Sequence, residues 1–415
     1  MDYHLLPRHQ ILCIDMRSFY ASVECVKHGL NPMRDMLAVV GDKRRSGSII
    51  LAASPALKRK HGVKNVSRYF ELPYDPDIYV VEAKMGDYVN VSIEITKLLY
   101  QYVPKEAIHP YSVDEMWITV DGLEKLYGGA YQMATMLQEE LYETMGLHCA
   151  IGIGDNKFLA KVVMDLYAKK QGITACHYED VERLLWPIPI EKVWGIGQRL
   201  THHLNRMGIL NLGQLAHFSL DRLKKRFGVI GEQLYWHAWG VDLSPVYDQF
   251  VKEEQKGFGH GITLLRDYSA EETRTCILDL TEEVCRRART HQKAGRTIHL
   301  SIGYANNKGG FHRSRSIDLP TNMTMHMYHI CLQLFHTFYD GHSPIRRVSV
   351  SLDNLYDDKE TQLDLFDDQE KKKDLGYAMD AIREKYGSTA ILRATSYTEA
   401  GITRERSKKI GGHYA

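Results

Sequence analysis

Long apolar runs are missing from this 415-residue sequence. No stretch approaches the roughly 20 residues needed to cross a bilayer, and the opening MDYHLLPRHQ has no apolar core of a secretory signal. A cytoplasmic protein is expected. Paired cysteines are missing as well: Cys13, Cys25, Cys149, Cys176, Cys276, Cys285 and Cys331 are scattered, with no C-x-x-C among them. This odd, dispersed set excludes a disulfide framework and argues against a zinc site, which shows close ligand pairs. No repeat of fixed period is present.

Net charge of one sign is also scarce, at +1, until it is mapped. Residues 353–370 hold eight acids and one lysine, and without them the chain carries +8. Acids are absent from Lys43 to Arg68 and again from Arg286 to Arg315, each stretch holding eight Lys or Arg. Solvated charge runs are often plain surface, but two acid-free stretches of this length suggest a polyanion footprint. In the second stretch the residues singled out are Arg286, Arg287, Arg289, Lys308, Arg313 and Arg315.

What is present reads as a multidomain α/β (α+β) protein, the 44% apolar content sufficing for several cores. Ile11–Ile14 is a short buried strand ending at Asp15, with a helix after it for which Ser18 is the N-cap. Met36–Val40 and Ser48–Ala53 read as strands around a basic turn, and Pro55 starts a helix bearing Lys58. Residues 82–103 have helical periodicity, and a strand pair is expected around Ser112–Val120. Gln132–Glu143 follows as helix, His148–Ile153 as strand and Asn156–Tyr167 as helix. From Glu179 short helices are broken by glycine. Val193-Trp194-Gly195-Ile196-Gly197 and Phe227-Gly228-Val229-Ile230-Gly231 each precede a helix, as in helix–hairpin–helix elements, whose turns offer N–H groups to a phosphate. The alternative is a plain helical connector. Residues 243–255 read as a linker. Beyond it come a helix Glu271–His291, strands Thr297–Tyr304, Phe311–Leu319 and Arg347–Leu352, and a helix over 324–338. An acidic segment and a helix Lys373–Tyr386 close the chain.

Asp15 ends one hydrophobic strand, and Asp114-Glu115 lie within Tyr111-Ser-Val-Asp-Glu-Met-Trp-Ile-Thr-Val120, of strong strand character. Carboxylates at the edge of a buried sheet are costly unless paired or bound to cations. Either site alone could be a capping acid. Together they offer the hard oxygen ligands that magnesium prefers, and two such ions suit nucleotidyl transfer.

Four ordered motifs then carry a resemblance. They are Ile14-Asp15-Met16-x-x-Phe19-Tyr20-Ala21-Ser22-Val23-Glu24, Tyr111-Ser112-Val113-Asp114-Glu115, Gly152-Ile153-Gly154-x-Asn156-Lys157-x-Leu159-Ala160-Lys161, and Val193-Trp194-Gly195-Ile196-Gly197. On these the chain, from about Ile11 to Leu355, resembles the Y-family translesion DNA polymerases, in particular their bacterial UmuC-like branch. The resemblance implies a right hand: palm at 1–23 and 82–178, fingers at 24–81, and a helical thumb with helix–hairpin–helix elements at 179–242. After the linker it implies a β/α little finger at 256–356 and a tail at 357–415.

It implies an error-prone, template-directed DNA polymerase without proofreading, using two magnesium ions and a dNTP. Asp15, Asp114 and Glu115 would be catalytic metal ligands, with Met16 contributing its backbone carbonyl. Tyr20 matches the steric gate that excludes a ribose 2′-hydroxyl, its other reading being a core aromatic. Phe19 supports the sugar or packs locally. Lys58 stands where many members carry arginine, and supplies a point charge in place of a bidentate fork. One extra residue separates Lys161 from the Lys169-Lys170-Gln171-Gly172 segment. Lys169 is the choice for the triphosphate lysine, with Lys170 the alternative. Gly195, Gly197 and the six basic residues above would meet primer–template DNA. In the tail, Gln362, Leu363, Leu365 and Phe366 resemble a peptide that docks on the bacterial sliding clamp; the alternative is a strand folded onto the little finger. A recombinase or accessory activator subunit is a further expected partner, and no membrane is. The competing class is a non-catalytic DNA-binding adaptor at the clamp, from which loss of the metal acids would be expected; all three are kept.

Overall fold

The computed structural model describes residues 1–246, 255–307, 309–358, 369–411 and 413–414. The chain divides into two compact units, Met1–Val251 with His413–Ala415, and Lys252–Gly412. Lys308 and the expected clamp peptide, Gln362, Leu363, Leu365 and Phe366, lie outside the described residues.

The first unit begins with β1 (Ile11–Met16), α1 (Phe19–Lys27), β2 (Met36–Val40), β3 (Ile50–Ala53), α2 (Pro55–His61), β4 (Ile78–Glu82) and α3 (Met85–Leu99). It continues with β5 (Ile108–Pro110), β6 (Glu115–Thr119), α4 (Ala130–Met145), β7 (Cys149–Gly154), α5 (Lys157–Val163) and β8 (Ile173–Cys176). Because β1 is apolar on both faces, it must be central, and it is the middle strand of the sheet β5-β6-β1-β7-β8. It runs antiparallel to both neighbours. Residues 36–82 build a separate three-stranded sheet, β3-β2-β4. Ser54 caps α2, accepting from the Leu57 N–H, with Pro55 in the first turn.

Two local expectations differ from the structure. Ser18 does precede α1, but in the left-handed region (φ 49°) and without a side-chain cap bond. The helix after Asn156 does not run regularly to Tyr167: α5 passes at Met164 into a π turn, Met164–Ala168, and Lys169–Gln171 then resumes α geometry.

Four short helices complete this unit: α6 (Gln198–Arg206), α7 (Leu212–Ala216), α8 (Leu220–Phe227) and α9 (Val229–Ala238). They enclose their own apolar cluster, which includes Leu204, Leu215, Leu223 and Ala238. Val246, expected within the linker, is buried beside Ile11, Cys13 and Trp117.

The second unit holds β9 (Gly257–Tyr268), α10 (Ala270–Thr290), β10 (Lys293–Tyr304), β11 (Gly310–Thr321), α11 (Thr324–Phe338), β12 (Ile345–Asp357) and α12 (Gln369–Tyr386). Its sheet, β11-β10-β12-β9, is antiparallel throughout. Strand β9 was not expected, since Gly257, Gly259 and Gly261 break the β-forming signal. The tail also differs from a separate segment beginning at 357. Strand β12 reaches Asp357, and Ala400 and Ile402 join the core formed by α10, α11 and the sheet. The buried Asp279 carboxylate accepts from Ser396 Oγ and from the N–H groups of Ile402 (2.8 Å) and Thr403 (3.1 Å).

Candidate active site

Asp15 and Glu115 are register partners across β1 and β6. Residues directly opposite in an antiparallel pair share a face, and like charges so placed repel. The Met16 N–H donates to the Asp114 carbonyl at 2.9 Å, so Asp114 follows the same strand end. Its carboxylate accepts from Ser112 Oγ at 2.7 Å.

Two lysines separate the opposed carboxylates. Lys169 Nζ lies 3.1 Å from Asp15 and 2.8 Å from Asp165. Lys161 Nζ lies 3.1 Å from Asp165 and 2.6 Å from Glu115. The result is one alternating chain, Asp15–Lys169–Asp165–Lys161–Glu115, with three acids against two bases and Asp114 as a further acid alongside. Burial pushes the Asp15 carboxyl up to about 6 although Lys169 pulls the other way. Burial draws Lys161 and Lys169 down, but their carboxylate partners outweigh it and both ammoniums end above the ordinary lysine value. Asp15 therefore remains a buried carboxylate whose charge the protein compensates incompletely.

The π turn explains how Lys169 reaches this chain. A regular helix turns about 100° per residue, which would put Lys169 about 80° off the Lys161 face. The extra residue of a π turn removes about 100° and returns it to within about 20°. Lys161 and Asp165 were not among the expected site residues. Their i, i+4 spacing, continued to Lys169, was the available signal.

Lys58 arrives from α2 and donates to Ser18 Oγ at 3.1 Å. Burial first, and then the neighbouring Lys169 ammonium, lower the Lys58 ammonium. A lysine lowered by a neighbouring ammonium beside an acidic edge marks a place suited to a polyanion. Phe19 is buried, and the half-buried Tyr20 stacks on Tyr88 with ring centroids 4.4 Å apart and planes at 16°. Burial and the Asp114 charge raise the Tyr20 phenol.

Among the described residues no three His, Cys, Asp or Glu side chains converge as a ready ligand group. The donor chemistry still fits a hard divalent cation: Asp15 and Glu115 oppose one another in register, the Met16 N–H ties Asp114 to the same strand end, and burial has already raised Asp15. The two lysines now occupy the oxygens that such a cation would take.

The expected nucleic-acid contacts divide. Gly195 and Gly197 are exposed before α6. Gly195 needs glycine for its φ of +86°. Gly197 has an ordinary φ of −79°, and a Cβ there would meet nothing within 4 Å. Neither backbone conformation nor internal packing demands glycine at this position. Arg313 and Arg315 are exposed on β11. Arg286 and Arg287 are held by Glu283, at 2.9 and 2.8 Å. Arg289 corrects the expectation: its side chain is 2% exposed and bridges Asp380 at 2.6 Å, so it offers nothing to a phosphate.

Known proteins resemble this chain in sequence and in fold. The impB/mucB/samB family matches residues 14–165, the C-terminal domain of that family matches 255–365, and a thumb domain described for DNA polymerase iota matches 191–242. A Bacillus subtilis (strain 168) protein bearing the name UV-damage repair protein UvrX is 50% identical over 100% of this chain and 99% of its own length. DNA polymerase IV 2 of the same organism is 42% identical over 99% of this chain and all of its own. In fold, a Y-family DNA polymerase chimera superposes with a TM-score of 0.65 at 21% identity, over 83% of this chain and 98% of its own.

Proposed function

We propose a damage-tolerant synthesis from one premise: this chain belongs to the Y-family DNA polymerases, the impB/mucB/samB family, and is a DNA-directed DNA polymerase. The reading is that it extends primers across lesions, with errors and without proofreading, and that the opposed Asp15 and Glu115 with Asp114 beside them are its catalytic acids. That opposition across β1 and β6 carries the proposal.

In this reading residues 1–23 and 82–178 are the palm, 24–81 the fingers, 179–242 the thumb and 256–356 the little finger, which the packed residues 369–411 extend. Asp15, Asp114, Glu115 and the Met16 carbonyl would hold two magnesium ions. When bound, such ions supply charge neutralisation at the attacking and leaving oxygens of phosphoryl transfer. The chain's own groups do the rest. Lys58 and Lys169 face the triphosphate as point charges, and positioning with electrostatics accounts for most of the catalysis. Tyr20 lies under the sugar and leaves no room for a 2′-hydroxyl. Gly195 and Gly197 present backbone to a DNA phosphate, and Arg313 and Arg315 lie along the duplex backbone without reading bases. The segment around Gln362–Phe366 docks on a sliding clamp, raising the local concentration at primer ends.

Primer extension with magnesium, on undamaged and abasic templates, tests this beside Asp114→Ala. The wild type should extend both, and the variant should extend neither while melting as the wild type does. Full activity in Asp114→Ala would sink the mechanism.

A further inference from the structure

Tyr20 is not held by its own helix alone. Its ring rests on Tyr88 of α3, and the Tyr88 hydroxyl donates to Glu24 Oε1 at 2.9 Å. Tyr20 and Glu24 are one turn apart on α1, so they share a face. A single α3 residue therefore fixes two points of α1, the ring through a stack and the carboxylate through a hydrogen bond. Tyr88 has no exposed surface, and Glu24 is 3% exposed. The second Glu24 oxygen faces His28 Nε2 at 3.5 Å. Burial and the Glu24 charge raise the Tyr88 phenol, keeping it a donor. A further tie between the two helices, Lys27 Nζ to Asp87 at 2.6 Å, lies at the outer end of the contact.

The stack covers one face of the Tyr20 ring with a side chain that is itself fully buried, so the ring cannot sink toward α3. Buried side chains pack at crystal-like density, so a gap under Tyr20 would be felt as a displacement. We infer that Tyr88, locked by Glu24, is a positioning residue for sugar discrimination: it sets the height of the Tyr20 ring and thereby the clearance at the ribose 2′ position. This rests on the reading of Tyr20 as the sugar gate.

The test measures kcat/KM for dNTP and rNTP insertion in Tyr20→Ala, Tyr88→Phe, Tyr88→Leu, Glu24→Gln and Tyr20→Ala/Tyr88→Leu, each with a thermal melt. Tyr20→Ala should lower the dNTP-over-rNTP ratio by about 100-fold or more. Tyr88→Leu, which removes the stack, should lower it by about tenfold, mainly through a smaller rNTP KM. Tyr88→Phe and Glu24→Gln, which weaken only the lock, should lower it by about threefold. The double variant should match Tyr20→Ala, since without the gate its support has nothing to position. An unchanged ratio in Tyr20→Ala overturns the gate itself. A lost ratio there, with wild-type ratios in the folded Tyr88 and Glu24 variants, overturns the present inference alone. Equal losses for both nucleotides would also overturn it, marking a packing defect. Should Tyr88→Leu fail to fold, Tyr88→Phe and Glu24→Gln decide.

Discussion

In the first unit Asp15, Asp165 and Glu115 share Lys161 and Lys169; in the second Arg289, Arg383 and Arg393 share Asp380 and Glu282. The counts are inverted, three acids with two bases against three bases with two acids. The cations differ more than the counts. Arg289 grips Asp380 through two nitrogens, at 2.6 and 3.1 Å, and donates a third bond to the Asn322 carbonyl at 2.8 Å. A planar fork so engaged has one geometry, whereas an ammonium on four methylenes is a point charge that exchanges partners readily. Burial would raise Glu282, yet Arg393 and Arg383 hold it below its ordinary value, while Asp15 stays raised beside its lysine. The second network is saturated and binds the tail to α10. The first is under-compensated and closed by cations that other cations can replace.

The largest expected effect would break the comparison if absent. Asp15→Asn should reduce primer extension to background while raising the melting temperature of the magnesium-free protein at pH 7–8. It removes a largely buried charge worth about 3 kcal/mol of penalty, from the displacement of Asp15 toward about 6. A variant both inactive and destabilised would mean that the acid is structural.

Next in size, Arg289→Met should destabilise the second unit by about 3–5 kcal/mol, because it leaves Asp380 buried without its fork. Magnesium should restore none of this. Lys161→Met should destabilise the first unit by a similar amount, about 3–5 kcal/mol, by stranding Glu115. Here magnesium should restore most of the loss, the divalent cation taking the ammonium's place. Denaturant melts with and without magnesium check both. Rescue of Arg289→Met, or no rescue of Lys161→Met, would erase the distinction between the networks.

How much of this was legible in the sequence follows from how local each feature is. The strand Met36–Val40 and the helix Thr324–Phe338 were readable because apolar period and flanking turns agree there. The opposition of Asp15 and Glu115 was foreshadowed because each sits at the end of an apolar strand, Asp15 near the close of β1 and Glu115 at the start of β6. Three things were not. Strand β9 is held by its pairing with β12, which overrides its glycines. The burial of Arg289 depends on Asp380, distant in sequence, so a charge map counted it as surface. The i, i+4 spacing of Lys161, Asp165 and Lys169 hints at a shared face, but a regular helix would turn Lys169 away from it, and only the π turn completes the alignment.

The smallest effect is the opposite pH response of the two regions. An acid whose folded pKa is raised binds its proton more tightly folded than unfolded, so folding is favoured as pH falls. For Asp15 the window runs from about 6 down to its ordinary value near 4. Glu283 is the reverse case: burial would raise it, but Arg286 and Arg287 hold it at about 2. Its contribution is present above about 4.5 and lost as pH falls toward 2. Between pH 6 and 4.5 the contribution of Asp15 to the magnesium-free first unit, read as wild type minus Asp15→Asn, should therefore grow by at most about 1.4 kcal/mol per pH unit, while Glu283 and its arginines leave the second unchanged. All five tryptophans, Trp117, Trp186, Trp194, Trp236 and Trp239, lie in the first unit, so fluorescence melts follow it alone. Saturating magnesium should flatten the slope, because a bound cation removes the reason for Asp15 to hold a proton. A slope that persists in Asp15→Asn would assign the titration to another group and leave the lysine-closed site without its thermodynamic signature.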